Sequence, residues 1–93
     1  MGLYTLIIEY DGGTYVMQAY AGSSKTAPSA CIKQWDIRDL KDIITEQDKS
    51  VILELLKAER LIALSHTLNV WCGSVVLNNK SLIFNLILTD KQQ

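Results

Sequence analysis

The chain predicts an α+β fold: two antiparallel β-hairpins forming one sheet, with two helices between them in sequence packed on one face, in the order ββααββ. Three observations carry this. Residues Tyr4 to Ala21 alternate apolar and polar around Asp11-Gly12-Gly13. Two stretches between Thr26 and Arg60 repeat apolar residues at helical spacing, and Leu68 to Thr89 returns to strand-like sequence around Asn78-Asn79-Lys80. With 93 residues, 48% hydrophobic and 20% charged, the expectation is one domain, 1–93, because neither half could bury a core of its own.

The first hairpin permits a test of register. A two-residue loop at Gly12-Gly13 pairs Tyr10 with Tyr15, Ile8 with Met17, Leu6 with Ala19 and Tyr4 with Ala21, one apolar or aromatic face throughout. The other face carries Asp11/Thr14, Glu9/Val16, Ile7/Gln18 and Thr5/Tyr20. A slip of one residue would set Gln18 against Leu6 and lose burial along the whole face.

Thr26 is placed to cap the first helix, and Pro28 belongs in its first turn, where a missing N–H has no helical partner. This helix is expected from about Ala27 to Trp35, with Ala27, Ala30, Cys31 and Trp35 toward the sheet. Ile37, Leu40, Ile43 and Ile44 suggest a further helical turn or two. Thr45 and Asp48 have the spacing of a capping box with Asp in place of Glu, so the second helix is expected from Glu46 to Arg60. Its apolar stripe is Val51, Ile52, Leu55 and Leu56, with Leu53 off the stripe.

Leu61 to Leu64 can form a short strand, and Leu68 to Leu77 with Ser81 to Thr89 a second hairpin. A loop at Asn79-Lys80 pairs Val75 with Phe84, whereas a loop at Asn78-Asn79 has better turn chemistry and shifts each partner by two residues while keeping the faces. Asp90 to Gln93 reads as a polar tail.

Charge excludes some function classes. Net charge is -1 and the nine Lys and Arg residues are scattered, so no basic stripe is available to a nucleic-acid backbone. No apolar run is long enough to span a bilayer, and no basic and apolar leader pattern opens the chain. Gly2 follows Met1, but Leu6 stands where myristoylation signals carry Ser or Thr. Cys31 and Cys72 lie in apolar stretches without metal-ligand spacing and read as thiols in a reducing compartment, the cytoplasm.

Candidate chemistry is sparse. His66, with Ser65 or Cys72, supplies a base and a nucleophile but no strained nucleophile turn and no orienting third group. Asp11-Gly12-Gly13 lacks the spacing of a phosphate loop and precedes a strand, so it reads as a turn. Tyr10/Tyr15 and Tyr4 with Tyr20 have no basic neighbours that would make them a base-stacking platform. Asp36, Asp39 and Asp42 recur every third residue, and Glu46 and Asp48 follow. Although Arg38 and Lys41 interrupt it, this run is the most suggestive polar feature, an acidic patch suited to a basic partner.

The segment Leu6-Ile7-Ile8-Glu9-Tyr10-Asp11-Gly12-Gly13-Thr14-Tyr15-Val16, followed by a helix holding Ala27 and Ala30, resembles the β-β-α opening of HicB-type antitoxins. Family members continue with a Pro-Asp-Leu-Pro-Gly-like stretch, where this chain has Ala19-Tyr20-Ala21-Gly22-Ser23. In size and style the chain is similar to the small immunity proteins of bacterial polymorphic and contact-dependent inhibition toxin systems. The resemblance implies a non-enzymatic module that sequesters a protein partner such as a toxin. The expected contact residues are Asp36, Asp39, Asp42, Glu46 and Asp48, with no cofactor, metal, nucleic acid or membrane involved. The alternatives are a structural homo-oligomer or homodimer formed through a hairpin edge, and an enzyme using Cys72 and His66.

Overall fold

The computed structural model describes residues 1–40, 43–58 and 61–91. Its elements follow in the order β1 (Gly2–Tyr10), β2 (Gly13–Ala21), α1 (Ala27–Gln34), a 3-10 turn (Arg38–Leu40), α2 (Glu46–Ala58), β3 (Ile62–Ala63), β4 (Val70–Leu77) and β5 (Lys80–Lys91). The strands form one antiparallel sheet in the order β2-β1-β5-β4-β3. The α+β class and the two helices match the expectation. The ββααββ detail does not, because Ile62–Ala63 adds a fifth strand after α2.

Both hairpins close on two-residue turns whose central residues have positive φ: Asp11 and Gly12 at 50° and 82°, Asn78 and Asn79 at 53° and 65°. These are the turns whose twist matches paired strands. The first loop is therefore Asp11-Gly12, not Gly12-Gly13. Tyr10 pairs with Gly13, Ile8 with Tyr15 and Leu6 with Met17, a shift of two residues from the expected pairing. An even shift keeps every side chain on its expected face, so the apolar face survives the correction. The second hairpin takes the Asn78-Asn79 loop and pairs Val75 with Leu82.

One face of the sheet is covered. Tyr4, Leu6, Ile8 and Tyr10 of β1 lie with Met17, Ala19 and Ala21 of β2, Val75 and Leu77 of β4, and Leu82, Phe84 and Leu86 of β5 in the buried cluster. Ala27, Cys31 and Ile32 of α1 and Ile52 and Leu56 of α2 close it from above. Trp35, Ile37 and Ile44 seal the connection between the helices. Ile52 and Leu56, four residues apart, are the buried line of α2, while Val51 is 37% exposed at its margin. Gly73 is required by packing: it pairs with Phe84, and a Cβ there would lie 2.6 Å from the buried Phe84 ring.

Polar bonds tie the elements together. Thr45 N–H donates to Asp48 Oδ2 (3.1 Å) and Asp48 N–H to Thr45 Oγ1 (3.0 Å), the expected reciprocal cap of α2. The buried Tyr10 hydroxyl donates to the Leu77 carbonyl (2.9 Å), joining the turn ends of the two hairpins. Lys49 Nζ donates to the Trp35 carbonyl (2.7 Å) at the end of α1. No helix among the described residues is long and apolar enough to cross a membrane.

Candidate functional site: the open edge of β2

The strand order leaves β2 at one edge of the sheet over all nine of its residues. Two-residue hairpin loops fix which of its backbone groups face outward. The closing pair Tyr10/Gly13 exchanges backbone bonds, so every second residue onward, Tyr15, Met17, Ala19, does the same with β1. Thr14, Val16 and Gln18 therefore turn N–H and C=O away from the sheet, and these backbone groups meet no partner among the described residues.

Native edges are blunted by lysine, proline, a bulge or shortness. Gly13-Thr14-Tyr15-Val16-Met17-Gln18-Ala19-Tyr20-Ala21 contains no charged residue and no proline, and pairs with β1 without a break in register. The opposite edge differs, since the two-residue β3 covers β4 at Cys72 and Trp71.

The β2 edge also has a wall. Consecutive residues Thr14 to Gln18, from both faces of the strand, line a groove of about 610 Å³ with Gln34, Trp35, Asp36 and Leu40 opposite. Ala19 to Ala21 line its continuation, about 750 Å³, against the outer side of α1. A strand residue from each face can line one groove only where the groove runs along the strand's side. The first half is mixed: the Tyr15 and Trp35 rings, 5.5 Å apart, lie in it beside polar Gln18, Gln34 and Asp36. The second has a floor of small residues and is rimmed by Lys25, Lys33 and Lys57. Lys57 pairs with Glu54 (3.2 Å), whereas Lys25 and Lys33 form no ion pair among the described residues. No acidic residue stands in the first turn of α1.

The acidic run is distributed differently from a single helical face. Asp36 lies in the extended link after α1 and lines the groove. Its carboxylate accepts from Arg38 Nη2 (2.7 Å) and from the Arg38 backbone N–H (3.1 Å), and these bonds lower its pKa to about 2. Asp39 belongs to the 3-10 turn, and Asp42 lies outside the described residues. Glu46 is exposed in the first turn of α2. Asp48 is committed to the cap, and its Oδ1 accepts from Asn78 Nδ2 (3.2 Å); the backbone bond from Thr45 is the main cause of its lowered pKa.

The remaining candidates are apart. His66 is exposed, at φ 63°, in the connection between β3 and β4. Cys72 pairs with Ile62 on the sheet face away from the helices, and no hydrogen bond joins it to His66. Tyr4 and Tyr10 are core residues. No group of three His, Cys, Asp or Glu side chains among the described residues is placed to hold a metal ion.

Fold and edge together define an α+β protein with a half-covered sheet and one long strand open along a helix-walled groove. No family model matches the chain, and no curated protein or solved structure is significantly similar to it.

The groove was not among the residues singled out from sequence. The signal that bears on it is the lack of charge and proline in Thr14 to Ala21, which becomes meaningful only once β2 is known to be an edge.

Proposed function

We propose that this chain is a non-enzymatic protein-binding module that takes up an extended segment of a partner along β2, in the manner of an immunity or antitoxin-like inhibitor. The observation that carries the reading is the outward row of Thr14, Val16 and Gln18 beside a groove that runs the length of the strand. Backbone bonds to an edge supply affinity in strand addition, and pockets for alternate side chains supply specificity. A second reading, self-association through the same edge, is favoured by the uncharged sequence of β2.

Proline separates this function from folding. At Val16 it removes an outward N–H and leaves the β1 ladder intact, whereas at Met17 it removes a ladder bond. Captures from the native host should yield a partner with the unaltered chain and lose it with Val16→Pro, while the melting temperature moves by a few degrees at most. Retention of the same partner by a folded Val16→Pro chain would exclude the edge. If instead lysine at Asp36 and Asp39 abolishes capture while Val16→Pro does not, the acidic run is the contact.

A further inference from the structure

The two halves of the groove differ in a way that specifies what lies in them. Beside Thr14 to Gln18 the walls combine the aromatic and aliphatic Tyr15, Met17, Trp35 and Leu40 with Gln34 and with Asp36, whose carboxylate is paired with Arg38. Beside Ala19 to Ala21 the charged lining residues are all lysine, among alanines and the uncharged polar Thr26, Ser29 and Gln34, and no carboxylate lines this half. Lys25 and Lys33 are exposed and lack an acidic partner among the described residues. Lys25 stands in the turn that leads into α1 and Lys33 in the last turn of the helix, and both line the groove. The start of α1 adds its own partial positive charge, which no first-turn acid offsets. The field at this end is positive over a length of several residues, in a protein whose net charge is -1.

We propose, on the strand-addition reading above, that the segment received by β2 is an extended acidic strand of another protein. Its apolar side chains lie beside Tyr15 and Trp35, and its aspartate or glutamate side chains lie beside Ala19 to Ala21, within reach of Lys25 and Lys33. The small side chains of Ala19, Ala21 and Ala30 leave the width that a carboxylate side chain needs to reach the lysines. A basic segment would meet two uncompensated lysines there and be repelled. A second copy of β2 brings no charge to this half, since the strand contains none. The complementarity therefore favours a foreign acidic strand over self-pairing.

The test uses ten-residue peptides with blocked ends, alternating valine and threonine, with two glutamates at either the first or the last positions so that both strand directions are covered. Matched peptides carry lysine in their place. One glutamate peptide should bind about tenfold more tightly than its lysine counterpart at low salt, with the advantage shrinking as salt is added. Lys25→Glu with Lys33→Glu should reverse the preference, and Val16→Pro should abolish binding of both peptides. Equal binding of the two charge types, still lost in Val16→Pro, overturns the acidic assignment and leaves strand addition standing. Binding indifferent to Val16→Pro overturns strand addition itself. No peptide binding, with a dimer seen by light scattering that Val16→Pro dissolves, assigns the edge to a second copy. No binding and no dimer overturns both readings.

Discussion

Single residues in this protein do most of their work through burial. Cys31 is fully buried under α1, and that burial raises its thiol from an ordinary 9.0 to about 11. The unfolded chain loses this proton near 9 and the folded chain only near 11. Between these values the unfolded state binds fewer protons, so stability is fully present below about 9 and declines as pH rises toward 11. Unfolding titrations in urea from pH 8 to 11 should show this decline in the parent. Cys31→Ala should show a shallower one, isolating the thiol from lysine and tyrosine titrations. Identical slopes would mean that the thiol ionises as readily inside as outside. The same burial predicts slow alkylation of Cys31 in the folded chain.

At the scale of elements, α2 shows how far an apolar stripe can be read. Its spacing nominated Val51, Ile52, Leu55 and Leu56, and packing divides them: Ile52 and Leu56 are buried, Leu55 is half-buried and Val51 is exposed. Ile52→Ala should cost about 2–5 kcal/mol, and Val51→Ala well under about 1 kcal/mol. Chemical denaturation of the two variants gives both values, and equal losses would mean that the helix sits in another rotation. The hairpins were legible in the same partial way. Their faces follow from alternation, which a two-residue slip cannot disturb, so Leu6 and Ile8 point inward with either loop. The loop was less so because Asp11-Gly12 and Gly12-Gly13 are both acceptable turns, and only the strand pairing distinguishes them. Ile62–Ala63 is so short that its sequence reads equally well as a loop end.

For the molecule as a whole, the deciding feature is a pairing across almost the whole sequence, β1 against β5, from Leu6/Leu86 to Tyr10/Leu82. No local pattern encodes strand order, so the sequence could not say which strand would be left at the edge, and the groove stayed invisible with it. This central pairing joins the two hairpins in one sheet, which predicts that they unfold as one cooperative unit. Trp35 beside β2 and Trp71 in β4 lie on the helix-covered face but near different edges of the sheet, so each reports on one hairpin. Trp35→Phe and Trp71→Phe, each with one remaining tryptophan, should unfold with coincident tryptophan-fluorescence and circular-dichroism transitions. Separate transitions within either variant would mean that the hairpins fold independently.

The inequality of the two sheet edges has a bearing on growth. Two copies joined through β2 close on themselves, because each spends the same edge. A copy whose β2 found β4 of the next would leave another β2 free, and the addition could repeat without end. The two residues of β3 stand in the path of that second arrangement, occupying β4 at Cys72 and Trp71 and leaving Gly73 to Leu77 beyond them. Small as it is, β3 shortens the stretch of β4 that such a head-to-tail addition could use.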